Sequence, residues 1–199
     1  TYGIEAHSLD VGGGFAVRYT DADAPIPLPQ LCQTITAACE RQKQLHGLAL
    51  ERILIEPGRS IVAQAGLTLY TVGFQKQTAH RHYLFVDGGM SDNIRPALYQ
   101  AAEACDVANR MNDPKTVRTC VAGKCCESGD VLIEEVMLPP CQAGDLLAVY
   151  TTGAYGFSMA SHYNRLPRPA VVFIKDGQAR CVVRRESYAD LLRGEDVET

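Results

Sequence analysis

Two apolar runs of strand type that both end in glycine constrain the fold of this chain most strongly. They are "HSLDVGGGF" and, later in the chain, "ILIEPGRSIV". Between them, apolar residues recur at helical spacing from Pro29 onward, and Gly47 offers the permissive backbone at which helices commonly end. A strand, a helix and a second strand of this length predict a right-handed parallel crossover.

The second strand indicates that this crossover belongs to a larger sheet. Its unbroken run Ile53-Leu54-Ile55 is typical of a parallel strand buried on both faces, which requires neighbours on each side. We therefore expect residues 1–62 to be the end of a larger α/β unit whose N-terminal part is absent from this chain. If that unit is a (β/α)8 barrel, the two runs are its last strands, and the loops after the last two strands of such barrels often bind phosphate.

Residues 63–199 have a different pattern, in which strand-like segments alternate with turns. The sequence "KDGQ" between apolar runs predicts a hairpin, because Asp176 and Gly177 tolerate the positive φ of a tight turn. Only "ALYQAAEAC" and "SYADLLRGE" carry a helical pattern. The predicted fold class is α/β plus β: the last strands of a (β/α)8 barrel, followed by a mainly antiparallel C-terminal β domain.

Composition argues against several classes of partner. The charged fraction is 21%, the formal net charge is -4, and the lysines and arginines are dispersed, so no basic surface for nucleic acid is indicated. No apolar stretch approaches the ~18 residues that span a bilayer, and the first residues lack the pattern of a signal peptide. We expect a cytoplasmic protein with neither a nucleic-acid nor a membrane partner. The scattered cysteines and histidines predict reduced thiols and no metal site.

The glycines at the two strand ends are candidates for an anion site. Gly12, Gly13 and Gly14 form one loop, and Gly58 and Arg59 lie in the other. Glycine-rich turns bring backbone N–H groups close to an anion, because no Cβ stands in the way. "GGG" taken alone favours an ordinary tight turn, but two such loops on adjacent strands favour phosphate binding.

Several charged side chains have both a functional and a structural interpretation. Glu56 ends the second strand, where it is either a catalytic group or a solvent-facing carboxylate. Arg59 and Arg95 are either carboxylate clamps, since guanidinium binds a carboxylate through two parallel hydrogen bonds, or members of surface salt bridges. In "DNIRPALY", Tyr99 follows Arg95 at i+4 and shares its face if a helical turn forms.

The segment "KCCESGD" places a thiol, a carboxylate and a hydroxyl in succession at Cys126, Glu127 and Ser128. Such groups on an exposed loop are either catalytic or incidental members of a polar turn, and the residues alone do not separate the two. Tyr155, in "TTGAYGFSMASHYN", is either a core aromatic or an amphipathic ring that uses its hydroxyl.

Five segments, taken in order, resemble the diaminopimelate decarboxylases, which are pyridoxal-phosphate enzymes of lysine synthesis. They are "LDVGGGF", "EPGRSIVAQAG", "VDGGMSDNIRPALY", "CESGDVL" and "GDLLAVYTTGAYGFSMASHYN", and together they cover nearly the whole chain. The resemblance implies pyridoxal 5'-phosphate as cofactor, meso-2,6-diaminopimelate as substrate and L-lysine as product. It also implies an N-terminal barrel, a C-terminal β domain and a homodimer whose subunits share active sites.

The resemblance implies a role for each candidate residue. The cofactor-binding residues would be Gly12, Gly13, Gly14, Glu56, Gly58, Arg59 and Tyr155, with Glu56 facing the pyridine nitrogen. The substrate carboxylate would be held by Arg59, Arg95 and Tyr99. The neighbouring subunit's site would receive Cys126 as proton donor, Glu127 as partner of the distal ammonium and Ser128 as its support.

The family's Schiff-base lysine has no counterpart in this chain. It lies in the first strands of the barrel, and no lysine here stands at the end of a barrel strand: Lys43, Lys76, Lys115, Lys124 and Lys175 do not. We therefore expect no turnover by this chain alone. Two alternatives remain: a related decarboxylase of ornithine, arginine or carboxynorspermidine, although "CES" and "RPALY" favour diaminopimelate, and a non-catalytic β-domain module that binds a partner chain.

Overall fold

The structure, a computed structural model, describes residues 5–195. Its first part contains strand β1 (Ser8–Asp10), helix α1 (Leu28–His46) and strand β2 (Arg52–Leu54). The two strands pair in parallel, with Leu9 opposite Ile53. The predicted parallel crossover is confirmed, although the start of its first strand run, Ile4, lies outside the described residues.

Helix α1 begins and ends where the sequence predicts. Pro29 occupies its first turn, where a missing backbone N–H costs nothing. Gly47 ends it in the left-handed region, at φ 59°, and donates its N–H to the Lys43 carbonyl. The N–H of Leu48 also bonds to that carbonyl, at 3.0 Å. These bonds satisfy a carbonyl group that the last turn would otherwise leave free.

The prediction that the second strand is buried on both faces is wrong for this chain. Leu54 and Ile55 are 47% and 41% exposed, and Leu9 of β1 is 41% exposed. The reason is that β1 and β2 form a two-stranded sheet, and within residues 5–195 no third strand pairs with either. Both apolar surfaces therefore remain uncovered by the described residues.

A six-stranded sheet forms the largest part of the chain. Its strands are β3 (Leu67–Gln77), β4 (His82–Val86), β5 (Cys105–Val107), β6 (Val117–Ala122), β7 (Val131–Leu138) and β8 (Leu146–Tyr150). The order is β5-β8-β3-β4-β6-β7, and only the β4–β6 pair is parallel. The edge strands β5 and β7 contact each other, so this mixed sheet is nearly closed.

The core lies inside the curve of this sheet. Leu84 of β4, Leu138 of β7, and Leu147 and Val149 of β8 have no exposed surface. Along β3, Tyr70 and Val72 are buried while Leu69 is 57% exposed, as the two-residue period of a strand requires. Burial of these side chains positions the loops at the strand ends.

The predicted hairpin is confirmed at β9 (Val171–Lys175) and β10 (Gln178–Val183). Lys175 pairs with Gln178 across Asp176 and Gly177, whose φ angles are 52° and 74°. The remaining helices are single turns: α2 (Arg59–Val62), α3 (Arg95–Tyr99), α4 (Gly156–Met159) and α5 (Tyr188–Leu191). Within residues 5–195, no helix combines the length and apolarity that crossing a bilayer demands.

The predicted helix over "ALYQAAEAC" is largely wrong. Helix α3 ends at Tyr99, and Gln100 adopts φ 52°. The last residue of the segment, Cys105, instead begins β5, where it pairs with Val149 of β8. Pairing at the edge of a sheet has overridden the helical propensity of the alanines.

Candidate functional site

The two glycine-rich strand ends lie side by side, because β1 and β2 are parallel neighbours. The N–H of Glu56 donates to the Gly12 carbonyl at 2.8 Å. A Cβ added to Gly13 would lie 2.6 Å from the Glu56 carbonyl oxygen, which belongs to the backbone and cannot turn away. Only glycine therefore allows this approach of the two loops.

The hydroxyl of Tyr155 lies directly over the second loop. A Cβ on Gly58 would come within 2.3 Å of the Tyr155 hydroxyl oxygen. The tyrosine is 44% exposed and starts α4 from a left-handed φ of 63°. Two sheets thus meet at this point, since Gly58 follows β2 and Tyr155 follows β8.

The first loop faces open space. Gly12 and Gly14 have φ 74° and 81°, and no atom of residues 5–195 lies within 4 Å of a Cβ built on either. Among residues 5–195, the N–H groups of Gly13 and Gly14 donate to no protein acceptor. Ser60, beside the second loop, has a buried hydroxyl without a partner among the same residues. Free donors around a glycine-lined opening fit an anion such as a phosphate.

Tyr19 connects the two candidate clamp arginines. The Nη1 of Arg59 donates to the Tyr19 hydroxyl at 2.7 Å, and its guanidinium lies 5.4 Å from the Tyr155 ring centroid. The guanidinium of Arg95 stacks on the Tyr19 ring at 4.3 Å. These distances are those of cation–π contacts, so both cations are held beside one aromatic ring.

Arg95 is buried, which overturns its interpretation as half of a surface salt bridge. It is 6% exposed, and its Nη1 pairs with the Glu103 carboxylate at 3.3 Å. The other oxygen of Glu103 accepts from the Asn93 side chain at 2.7 Å, and burial raises the pKa of Glu103. The Nε of Arg95 is buried without a partner in the described residues. Tyr99, expected on the same face, is 61% exposed instead.

Three loops meet at the end of the six-stranded sheet where β4, β6 and β8 finish, which is also the end that carries Tyr155. We call residues 88–93 the glycine loop, residues 123–130 the cysteine loop and residues 155–165 the tyrosine loop. The N–H of Lys124 donates to the Gly88 carbonyl at 3.1 Å, and the N–H of Ser161 donates to the Ser91 carbonyl at 2.8 Å. The glycine loop therefore holds the other two loops together.

The cysteine loop presents its polar side chains outward. Cys126 and Ser128 are exposed and Glu127 is partly buried. The Glu127 carboxylate accepts hydrogen bonds from the Tyr163 hydroxyl and from the Asn164 side chain. The Tyr163 hydrogen bond is the main cause that lowers the pKa of Glu127, which keeps the carboxylate charged. A charged carboxylate in this setting suits a cationic group.

The candidate residues form two groups, and the tyrosine loop reaches both, with Tyr155 over Gly58 and with Tyr163 and Asn164 on Glu127. One group consists of the residues around the strand-end glycines Gly12, Gly13, Gly14 and Gly58, together with Tyr155. The other group lies on the cysteine loop. Within residues 5–195, no hydrogen bond or ion pair connects Cys126, Glu127 or Ser128 with the residues at the strand ends. Glu56 is exposed at the end of β2, on the side of the first group.

Four residues of these groups were not among the predicted site residues: Tyr19, Glu103, Tyr163 and Asn164. Tyr19 lies in "VRYTD" after a loop without regular structure, and nothing in its spacing relates it to either arginine. Tyr163 and Asn164 are adjacent in "SHYN", and this pair of a hydroxyl and an amide is the sequence signal that could have identified them as hydrogen-bond donors at the site. Asn164 has φ 54°, a value that asparagine tolerates better than most residues.

Comparison with known proteins identifies the family of this chain. The family described as "Pyridoxal-dependent decarboxylase, C-terminal sheet domain" matches residues 16–153. The diaminopimelate decarboxylase of Halalkalibacterium halodurans is 51% identical over 96% of this chain, and that of Bacillus subtilis is 50% identical over 97%. The chain spans 44% of the length of each of these relatives, which is less than half.

Solved structures give the same result. The diaminopimelate decarboxylase of M. jannaschii in co-complex with L-lysine superposes with a TM-score of 0.89 at 33% identity, over 98% of this chain and 44% of that one. The lysine/ornithine decarboxylase of Vibrio vulnificus complexed with putrescine has a TM-score of 0.68 at 27% identity, over 81% of this chain and 42% of that one. The chain belongs to the pyridoxal-dependent decarboxylases and contains the C-terminal sheet domain of that family.

Proposed function

We propose that the protein containing this chain decarboxylates meso-2,6-diaminopimelate to L-lysine with pyridoxal 5'-phosphate. The observation that carries the proposal is that relatives named for this enzyme match 96% and 97% of the chain at 51% and 50% identity. The glycine-lined opening beside the Tyr155 hydroxyl supports it independently, because it offers free N–H donors to a phosphate.

The residues present fit the cofactor. Gly13 and Gly14 would bind its phosphate through backbone N–H groups, beside Gly12, whose own N–H donates to the Asp10 carboxylate at 2.8 Å and so would shape the loop. Gly58 and Arg59 would bind the phosphate from the second loop. The Tyr155 hydroxyl would donate to the same phosphate. Glu56 would hold a proton at the pyridine nitrogen. The cofactor supplies the electron sink that makes loss of CO2 from an amino acid feasible.

The arginines at this site would bind the distal carboxylate of the substrate. Arg59 is only partly buried, so its guanidinium is available in the described arrangement. Arg95 lies beneath the Tyr19 ring, and its Nε has no partner among residues 5–195, so it would reach a carboxylate once that ring turns aside. Tyr99, exposed at the end of α3, would support the same carboxylate.

The cysteine loop would complete the site of a second subunit. Cys126 would deliver a proton from its Sγ to the carbon that has lost CO2, and Glu127 would bind the distal ammonium, with Ser128 beside it. The exposure of this loop supports a homodimer with shared sites, as does the lack, among residues 5–195, of any hydrogen bond or ion pair from Cys126, Glu127 or Ser128 to the strand-end glycines. A proton donor acts only within hydrogen-bond reach of the carbon that it protonates, so the cysteine loop of one subunit would lie against the strand-end glycines of the other.

We extend the proposal to the domain arrangement. Residues 1–62 would be the C-terminal end of a (β/α)8 barrel, and residues 63–199 would be the sheet domain. The parallel β1–β2 pair with its exposed apolar surfaces supports this division, since the neighbouring barrel strands would cover those surfaces.

A comparison of substrates tests the function. Purified full-length protein would be incubated with pyridoxal 5'-phosphate and, separately, with meso-diaminopimelate, ornithine, arginine or carboxynorspermidine. We expect CO2 and L-lysine from diaminopimelate, and a kcat/KM at least about a hundredfold lower for the others, because each lacks the distal carboxylate that the arginines would pair with. A preference for ornithine or arginine would assign the protein to a related decarboxylase. Absence of turnover and of cofactor absorbance would favour a binding module.

A further inference from the structure

The cysteine loop and the glycine loop meet on a single buried carboxylate, that of Asp130. This residue is 3% exposed. Its Oδ1 accepts the N–H of Met90 in the glycine loop at 2.6 Å, and its Oδ2 accepts the N–H of Cys125 in its own loop at 2.7 Å. One side chain thus fixes the distance between the two loops.

The glycines around Asp130 show how closely the loops pack on it. A Cβ on Gly89 would lie 2.4 Å from Oδ1, and a Cβ on Gly123 would lie 2.2 Å from Oδ2. Gly89 also has φ 150°, which disfavours other residues. The carboxylate therefore fills the space that side chains at both glycine positions would need.

The backbone of Asp130 also closes the cysteine loop. Its N–H donates to the Glu127 carbonyl at 3.0 Å, and its carbonyl accepts the N–H of Gly123 at 2.9 Å. Both ends of the segment that carries Cys126 and Glu127 are consequently attached to Asp130. In the described residues its carboxylate forms no ion pair with a lysine, arginine or histidine, so backbone N–H groups are its partners.

We propose that Asp130 is a positioning residue for the decarboxylation: it sets the place of the Cys126 thiol and the Glu127 carboxylate by binding the Met90 and Cys125 amides. The proposal rests on the proposed function for its kinetic consequence. Its structural part, that this carboxylate joins the two loops, is independent of the substrate.

The kinetic test is a double-mutant cycle in the full-length protein. Asp130→Asn keeps the volume but offers a single acceptor oxygen, so one of the two amides loses its partner. We expect kcat for diaminopimelate to fall about 10- to 100-fold in the wild-type background, because a misplaced catalytic group loses rate steeply. In the Cys126→Ala background we expect a loss of kcat below about threefold, because the proton donor that Asp130 positions is already gone. The displaced Glu127, which would bind the distal ammonium, should then raise KM rather than lower kcat.

Asp145→Asn is the control for loss of a buried carboxylate away from the three loops. Asp145 is 2% exposed and likewise accepts a backbone N–H, that of Gln142 at 2.8 Å, although it also pairs with Arg110 at 3.0 Å. Among residues 5–195 it has no hydrogen bond or ion pair to the three loops. Its replacement is expected to change kcat by the same factor in both backgrounds. Equal factors for Asp130→Asn in both backgrounds would overturn the positioning role and leave Asp130 as a stabilising residue only.

Amide hydrogen exchange tests the structural part without reference to activity. In Asp130→Asn, the amide of Met90 or Cys125 should exchange about tenfold faster or more than in the wild type, with the strands of the sheet unchanged. If wild-type protein does not decarboxylate diaminopimelate, the proposed function fails, and this experiment still decides whether Asp130 joins the loops. Unchanged exchange at both amides would refute it.

Gly123→Ala provides a second route if Asp130→Asn does not fold. Its Cβ would displace the Asp130 carboxylate from the opposite side, whereas Gly129→Ala, in the same loop, meets nothing within 4 Å. The first variant should reproduce the dependence on the Cys126 background, and the second should behave as wild type. The same behaviour in both variants would contradict the proposal.

Discussion

The buried pair of Arg95 and Glu103 gives the sharpest stability prediction. Their side chains are 7% and 0% exposed, and the charged atoms lie 3.3 Å apart. At that separation the attraction is about 5 kcal/mol for an effective dielectric constant of about 20. Replacing Arg95 by methionine leaves the Glu103 carboxylate buried without its cation, so we expect a loss of about 3–5 kcal/mol in the free energy of unfolding.

A second variant separates loss of the pair from loss of packing. Glu103→Gln removes the charge but keeps an oxygen for the Asn93 side chain, which donates to Glu103 at 2.7 Å. The double variant Arg95→Met, Glu103→Gln should therefore recover about 2 kcal/mol or more relative to Arg95→Met alone. Arg118→Met is the control, because Arg118 is 73% exposed in its pair with Glu135, and exposed pairs contribute about 0–1 kcal/mol.

The pH dependence of Arg95→Met follows from the same burial. The pKa of Glu103 is raised in the folded protein, so the folded state binds a proton at a pH where the unfolded state does not. Stability from this group is therefore present at low pH, and it is lost as pH rises from the ordinary glutamate pKa through the raised value. Without Arg95 the effect should be larger, and Arg95→Met should gain stability relative to the double variant as the pH is lowered.

Denaturant unfolding of the full-length proteins at several pH values measures these quantities. The expected order of stability is Arg118→Met, then the double variant, then Arg95→Met. The reasoning is refuted if Arg95→Met is as stable as Arg118→Met, or if its stability relative to the double variant does not depend on pH.

Three further predictions concern the candidate site of the full-length protein. Tyr155→Phe removes the hydroxyl over Gly58, and we expect the affinity for pyridoxal 5'-phosphate to fall about tenfold. A titration that follows cofactor absorbance measures this affinity, and an unchanged value would contradict a contact between the hydroxyl and the phosphate. Gly13→Ala places a Cβ 2.6 Å from the Glu56 carbonyl oxygen, and we expect it to lower the free energy of unfolding, measured with denaturant, by about 1–3 kcal/mol. Gly129→Ala is the control, because its Cβ meets no atom of the described residues within 4 Å, and it should cost less than about 1 kcal/mol. Equal costs would contradict the close approach of the two strand-end loops. Tyr163→Phe removes the hydrogen bond that is the main cause of the lowered pKa of Glu127. The pKa of Glu127 should therefore rise, and the acid limb of the pH profile of kcat/KM should move to higher pH. An unmoved limb would mean that Glu127 does not control substrate binding.

The sequence was sufficient to predict the local and repetitive features of the fold. The α1 boundaries follow from Pro29 and Gly47, and the β9–β10 hairpin follows from Asp176-Gly177, because single residues control these backbone conformations. The parallel β1–β2 pair follows from the lengths of the segments. The mostly antiparallel arrangement of the strands β3 through β8 was also predictable, because only turns separate most of the strand-like segments in the sequence.

Features that depend on contacts far apart in the chain were not predictable. The segment after Tyr99 has the composition of a helix, and only its pairing with β8 makes Cys105 a strand residue. For Arg95 the sequence offered a carboxylate clamp or a surface salt bridge, and only the fold shows that it is buried against Glu103 and Tyr19. The aspartate in "CESGD" gives no sign that Gly89 and Met90, forty residues earlier, pack on its carboxylate. Burial and distance, rather than residue type, decide these roles.

Subunit complementation tests the central claim most directly. A full-length Cys126→Ala variant would be mixed with a full-length variant in which the Schiff-base lysine is replaced, and subunit exchange would be verified by mass measurement. Each homodimer should be nearly inactive toward diaminopimelate, whereas the heterodimer contains one site with the lysine from one chain and Cys126 from the other. We predict recovery of a part of the wild-type L-lysine production. Verified exchange without any recovery would contradict the claim that the cysteine loop serves the active site of a neighbouring subunit.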